Sequence, residues 1–445
     1  MESISALDLA QQVVDTCVAE GTWPGRVLDA LIERALGEDK RIAAEASRAF
    51  FSVVIERLAD LFEPRLCDVY ARLFSLVIAR ALPEFQAADL IHRYRRVAQV
   101  RRYQGSDVER VYVLSRITLG ADVAVTSVVL DAMKRRFPDA EICFVGPSKN
   151  AELFLDDARI LPISVVYGRS ALLLDRLVAA KELQDILDDP ASLVIDPDSR
   201  LTQLGLIPVC DDARYFFFES RAYGGDSDES LPQLTSNWLT ETFGHGGHAY
   251  LAPEPDVPEP DDDLELKAEQ PDRTAAVDGV SHLHHDHHPG AISVSLGVGE
   301  NEEKRIDDEF EEAVLRKLLS LNRPVVIDHG AGGAEAERVD KLIQRLDKPP
   351  NLIPHTGTFS SFTRQIVTGS MYFGYDSAGQ HVAAAARVPL VSVFCGYASE
   401  RMFARWKPWG DGVIQTVPVR PDDRDTVLER TFAAICSVAE EAGLL

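Results

Sequence analysis

Nowhere in the 445 residues does a C-x-x-C pair occur. The six thiols, Cys17, Cys67, Cys143, Cys210, Cys395 and Cys436, stand singly and mostly among apolar neighbours. That spacing excludes a zinc cluster or a dithiol redox motif and points to buried free thiols in a reducing compartment. Also missing is an apolar run approaching the roughly 20 residues that a membrane helix needs. The opening MESISALDLAQQ has neither the basic nor the apolar region of a signal peptide, so cytoplasmic residence is the expectation. Basic residues are scarce, 46 Lys and Arg against 71 Asp and Glu, for a net charge of −25. Such a chain lacks the cation excess that general nucleic-acid binding rests on, and an anionic membrane surface repels it.

What is present is a globular composition, with 46% hydrophobic and 26% charged residues. At roughly 100–200 residues per domain the length suggests two to four domains. Residues 1–107 read as an all-helical N-terminal domain. Leu7, Val13, Val14 and Cys17 recur at helical spacing, as do Phe50, Val53, Val54, Leu58 and Leu61. Pro24, Pro64 and Pro83 punctuate the helices, and no strand pattern intrudes. From 108 to 252 the pattern becomes strand, loop, helix, strand: strands at 111–114 and 141–145 flank a helix at 125–136, and further strands fall at 163–167, 192–195 and 215–218. A βαβ unit of this kind implies a parallel sheet. Residues 253–290 interrupt it. The segment 253–273 holds nine acidic and two basic residues, and His282, His284, His285, His287 and His288 then surround Asp286. No core can form from this composition, so a loosely held linker is expected, with the histidines as a solvated polar tract. A second α/β unit spans 291–420, and a final helix lies within 421–445.

The most informative stretch is Tyr375-Asp376-Ser377-Ala378-Gly379-Gln380-His381 followed by Val382 and an alanine run, then Pro389 to Gly396. A strand ends at Gly374, and a turn of small residues enters an alanine-rich helix. The free N–H groups of a helix N-terminus form a natural diphosphate site, and small side chains let phosphates approach.

This segment resembles the donor-site motif of glycosyltransferase family 9, the bacterial heptosyltransferases, written D-[ST]-G-x-x-H-[LI]-A-A-A and followed by a P-[VL]-V-x-[LV]-[FY]-G strand. One departure is that the family glycine falls at Ala378, with Gly379 next. Ser115 to Thr126 resembles the family's R-x-x-x-L-G-D-[VL]-x-x-T loop, with Ala121 inserted between Gly120 and Asp122. Lys304 resembles the lysine of a K-x-W-P element, although tryptophan and proline are absent, and Glu335 resembles the glutamate of a glycine-then-glutamate turn. The resemblance covers roughly residues 110–420.

The resemblance implies two Rossmann-like α/β domains of GT-B type facing a cleft, preceded here by the helical segment. It implies transfer of a sugar, with heptose suggested by the family name, from a nucleotide-diphosphate donor, plausibly ADP-linked, by an inverting single displacement. The implied roles are Asp122 as base, Lys304, Asp376, Ser377, Ala378, Gly379, Gln380 and His381 around the donor, and Glu335 at its nucleoside. Arg401 and Arg405 follow the motif strand as further phosphate contacts. No cofactor or metal is expected. The acceptor could be a glycan, a lipid-linked sugar or a protein, and the N-terminal helices could receive a protein partner. Two other readings stay open: a non-catalytic nucleotide-sugar binder or assembly subunit, and a sugar-nucleotide epimerase of related fold.

Overall fold

A computed structural model describes residues 4–105, 108–168, 171–253, 287–299, 301–330, 332–420, 423 and 426–445. Two wholly parallel sheets carry the chain. The first contains β1 (Arg110–Leu114), β2 (Glu141–Gly146), β3 (Ile160–Ser164), β4 (Ser192–Asp196) and β5 (Tyr215–Phe217), in spatial order β3-β2-β1-β4-β5. The second contains β6 (Ile292–Ser295), β7 (Val325–Asp328), β8 (Leu352–His355), β9 (Met371–Tyr375), β10 (Leu390–Phe394) and β11 (Ile414–Pro418), in order β11-β10-β9-β6-β7-β8. Val, Ile and Phe dominate the central strands because both faces are covered, as parallel sheets require. Most of the acidic and histidine-rich linker, 254–286, lies outside the described residues. At its far end His288 is tied through its main chain to the Gln365 side chain.

Several elements differ from the sequence expectation, each for a local reason. The helix expected from 125 begins at Leu119, passes through a π-helical turn over Asp122–Thr126 and continues as Ser127–Arg136. The strand expected at 163–167 lies three residues earlier, as β3. It tolerates Pro162 because β3 is an edge strand. An edge strand of the second sheet, β11, is half exposed and carries little apolar signal. Helices Leu173–Ile186, Leu231–Phe243 and Glu400–Trp406 were also not anticipated.

Helices fill the N-terminal segment: Ala6–Glu20, Gly25–Ala35, Lys40–Ala49 continuing through a π turn at Phe50–Ile55 into Glu56–Asp60, then Pro64–Ala81 and Ala87–Val97. They do not keep a core to themselves. Leu9, Val13, Phe74 and Tyr94 belong to one apolar cluster with Tyr112, Leu114, Cys143, Val145, Val194, Tyr215 and Phe217, which form one face of the first sheet. The other face, through Val111, Val113, Ile142, Phe144 and Ile195, shares a second cluster with Val382, Ala383, Val388 and Leu390 of the second α/β unit. Both α/β units and the helices are therefore joined by continuous packing. Among the described residues no helix is long and apolar enough to cross a membrane.

Removing the helices would uncover the seven sheet residues of the first cluster. At about 1.5–3 kcal/mol per buried apolar side chain this forfeits on the order of 10 kcal/mol, comparable with the whole stability of a typical domain. A chain starting at residue 104 is expected to aggregate or bind a hydrophobic dye. A cooperative melting transition at the full-length temperature would contradict the shared core.

Candidate functional site

In open parallel sheets, ligands bind beyond the carboxyl ends of the strands, where the strand order reverses. In the first sheet that point lies between β1 and β4, and in the second between β6 and β9. The loops from all four strand ends meet at one cavity of about 350 Å³. The chain after β1 supplies Arg116, Ile117, Gly120 and Ala121, that after β4 supplies Asp198 and Arg200, that after β6 supplies Lys304, and that after β9 supplies Asp376, Ser377 and Ala378. The N-terminal helices close one side with Phe51, Glu56, Asp60 and Phe62.

The C-terminal wall follows directly from the motif. Gly396, two residues past the end of β10, has φ of 67°, and a Cβ there would stand 2.5 Å from the Glu303 carbonyl and 2.8 Å from the Lys304 nitrogen. Only glycine lets segment 302–304 lie this close, which brings Lys304 to the second sheet's reversal point. Lys304 Nζ donates to Asp376 Oδ2 at 2.5 Å. Gln380 Nε2 donates to Asp376 Oδ1 at 2.6 Å, while its carbonyl oxygen accepts from the Ser392 hydroxyl. Gln380 is thus a buried strut behind the loop, away from the cavity lining. Ser377 caps helix Ala378–Ala385 without a side-chain bond to it, so the first N–H groups of the helix keep no side-chain cap. Gly379 lies against the buried Tyr372 ring, where a Cβ would meet the phenol oxygen at 2.3 Å. His381 lines the cavity beside Trp406, and burial lowers its pKa to about 4, leaving a neutral imidazole at ordinary pH.

The two halves touch at their smallest residues. A Cβ on Gly120 would lie 3.2 Å from Ala378 Cα and 3.4 Å from His381 Cδ2. Beside this contact, Ala121 faces the cavity and Asp122 does not. Asp122 has no exposed surface. Its carboxylate accepts from the Ser115 hydroxyl at 2.6 Å, the Arg116 N–H at 2.7 Å, the Thr126 hydroxyl at 2.6 Å and Asn150 Nδ2 at 2.5 Å. Burial raises its pKa, with these four donors opposing the shift. Four donors nearly saturate a carboxylate's acceptor sites. Asp122 is the anchor of the 115–122 loop, so the base expected at this position does not reach the cleft.

Backbone strain and charge gather at the same place. Of nine non-glycine residues with positive φ among those described, Phe62, Ile117, Asp198 and Leu204 line the cavity. A β-branched residue such as Ile117 at φ of 76° is strained, and such strain clusters at functional sites. Arg116, Arg176, Arg200, Arg221 and Lys304 face the cavity in a chain of net charge −25. Arg221 pairs with Asp198 at 3.0 Å, with both nearly fully buried. Asp198 Oδ1, Arg200 Nη1 and Arg221 Nη1 are buried with no protein partner. Buried polar atoms of this kind call for a polar ligand or solvent.

Three expected contacts lie elsewhere. Glu335 is wedged between Gly297 and Gly330, where added Cβ atoms would overlap its carboxylate, and it does not line the cavity. It does sit near the carboxyl ends of β6 and β7. Arg401 and Arg405 also miss the cavity. Arg401 pairs with Asp226, and Arg405 donates to the carbonyls of Gly225, Ser227 and Glu229. Both arginines clamp the second α/β unit onto a loop of the first. Conversely, the sequence reading gave no site role to Phe51, Glu56, Asp60, Phe62, Arg176, Arg200 or Arg221. These come from separate elements with no motif of their own.

Two outcomes follow from this geometry. A His held neutral down to about pH 4 rather than its ordinary 6.5 leaves the unfolded chain binding a proton that the folded chain refuses, so stability is lost as pH falls through that window. The loss amounts to about 3 kcal/mol. His381→Gln should therefore lose correspondingly less stability than the wild type between neutral pH and pH 4, as read by urea unfolding. Gly396→Ala should cost about 1–3 kcal/mol, from strained φ and backbone overlap. An unchanged unfolding midpoint would show that segment 302–304 is not held by this glycine.

The fold and the cleft can now be set beside known proteins. The family described as Glycosyltransferase family 9 (heptosyltransferase) matches residues 247–427. The chain is 31% identical over 110 residues to lipopolysaccharide heptosyltransferase 3 of Escherichia coli, a match covering 24% of this chain and 31% of that protein. The K12 strain protein of the same name is 28% identical over 110 residues, covering 24% of this chain and 30% of its own. The chain thus matches about a third of the length of these curated relatives. The crystal structure of the glycosyl transferase family 9 from Veillonella parvula DSM 2008 superimposes with a TM-score of 0.54 at 13% identity, covering 76% of this chain and 98% of that one, and shares the fold. Residues 247–427 of this chain are thus similar to glycosyltransferase family 9.

Proposed function

We propose that this protein is a glycosyltransferase that moves a sugar from a nucleotide-diphosphate donor to an acceptor hydroxyl. The observation that carries the reading is the meeting of Lys304 and the Asp376–His381 turn, from the family-matched segment, with the Arg116–Ala121 loop across one cavity. In this reading the diphosphate lies at the N-terminus of helix Ala378–Ala385, where free N–H groups and the positive helix end favour an anion. Lys304 adds a full positive charge, and its pairing with Asp376 holds it in place before the ligand arrives. Both act most strongly on the leaving group, whose charge grows as the sugar–phosphate bond breaks. His381, neutral through burial, hydrogen-bonds the sugar or phosphate without adding charge. The displacement is single and in line, which inverts the anomeric carbon. Heptose carried on ADP is the first donor to try, given the names of the curated relatives and the family resemblance. The acceptor approaches from the side walled by the N-terminal helices and Arg200.

A second reading, a nucleotide-sugar binder without turnover, is favoured by one observation, the burial of Asp122 away from the cavity. The two part on chemistry. A thermal-shift series with ADP, UDP, GDP and their sugars comes first. A ligand at about 100 times its dissociation constant adds about 2.7 kcal/mol of stability. Lys304→Ala should weaken that binding by about tenfold or more, since a hydrogen bond to a charged group is worth roughly 1.5–3 kcal/mol. No shift with any nucleotide would sink both readings. A shift without release of nucleoside diphosphate from the sugar nucleotide would leave the binder.

A further inference from the structure

The transfer proposed above needs a group to take the acceptor's proton, and Asp122 is sealed from the cleft by its four donors. Four other carboxylates line the cavity: Glu56, Asp60, Asp198 and Asp376. Three of them are engaged. Asp376 is held by Lys304 and Gln380, and Asp198 by Arg221 and the Ser220 hydroxyl. Direct pairing with a cation makes a carboxylate a weaker proton acceptor. Glu56 is also engaged, with Arg176 among its charged neighbours.

Asp60 differs. Among the described residues none hydrogen-bonds or ion-pairs with its carboxylate, although Arg200, Lys304, Arg116 and Arg57 all stand near enough to act on it through space. Those neighbours come from the N-terminal helices and from both α/β units, so Asp60 sits where all three meet. Burial nonetheless outweighs their pull and raises its pKa, the direction that makes a carboxylate a better base. Its place in the fold also runs against local rules. Asp60 is the last residue of helix Glu56–Asp60, where the helix dipole favours a cation. The helix has a π turn at Phe50–Ile55 just before it, and Phe62 follows at φ of 53°. π turns and strained residues recur at functional sites, and an uncompensated breach of local preference points the same way.

We infer that Asp60, delivered by the N-terminal helices, is the catalytic base of the transfer, in place of the loop aspartate. Its carboxylate takes the acceptor hydroxyl's proton as that oxygen bonds to the anomeric carbon. The bond from that carbon to the diphosphate oxygen breaks, and its electron pair leaves with the nucleoside diphosphate. Asp60 then returns the proton to solvent. The inference rests on the glycosyl-transfer reading, and the test separates the two.

The test uses the full chain with water as acceptor. Release of nucleoside diphosphate is followed from whichever ADP-, UDP- or GDP-sugar stabilises the wild type most. Asp60→Asn is expected to lower kcat by roughly 10²–10⁴-fold, the usual contribution of a general base. KM, the melting temperature and the stabilisation by free nucleoside diphosphate should stay near wild-type values, because only a transition-state interaction is lost. Asp60→Glu should recover part of the rate. Asp122→Asn should instead lower the melting temperature. If Asp60→Asn keeps kcat within about threefold of wild type, or loses nucleotide binding along with the rate, Asp60 is not the base. If the wild type binds the sugar nucleotide yet releases nothing, the glycosyl-transfer reading fails, whatever Asp60 does.

Discussion

The contact between Gly120 and Ala378 sets the distance between the two parallel sheets. Any larger residue at Gly120 would press on Ala378 and His381, so the helix that carries the donor motif would be pushed from the first sheet. With the two loops in contact, four strand ends converge and the space left between them is a small cavity. Around it the packing is continuous, for Val382, Ala383, Val388 and Leu390 share a core with the first sheet. The N-terminal helices then complete the wall. Three stretches distant in sequence thus become one site because two of them have almost no side chain where they meet.

What the sequence disclosed was whatever local patterning could carry. The Rossmann-like order of the second half, the turn at Asp376 and the lysine at 304 were legible, because a strand, a tight turn and a glycine leave marks within a few residues of each other. Gly396 was legible as part of a motif, and its reason, room for segment 302–304, appears only in three dimensions. Asp122 was misjudged for the opposite cause. Its spacing to Thr126 resembles the family loop, but its carboxylate points inward, onto Ser115, Thr126 and Asn150. Asn150 lies on the next βα connection, beyond the reach of any local pattern. Arg401 and Arg405 looked like phosphate contacts because they follow a phosphate motif, yet loop 225–229 lies closer. Asp60 left no signal, since a single acid in an amphipathic helix is ordinary until its neighbours are known.

Charge in the cleft follows the same logic. The chain repels anions as a whole, yet the cavity collects five cations. Two carboxylates, Asp198 and Asp376, spend their charge holding Arg221 and Lys304 in position. Such pairs fix cation geometry before a ligand arrives, which favours electrostatic stabilisation over mere attraction. Atoms left without a protein partner, including Arg200 Nη1 and Asp198 Oδ1, lie beside them.

The Arg405 clamp has a kinetic meaning. Its guanidinium is fully buried between the two α/β units and donates to carbonyls of Gly225, Ser227 and Glu229. Swinging the two units apart as rigid bodies would strip a buried cation of all these partners at once, a cost of several kcal/mol. Rigid-body opening is therefore opposed by this one side chain, whereas movements of the cavity rim that leave Arg405 in place avoid that cost.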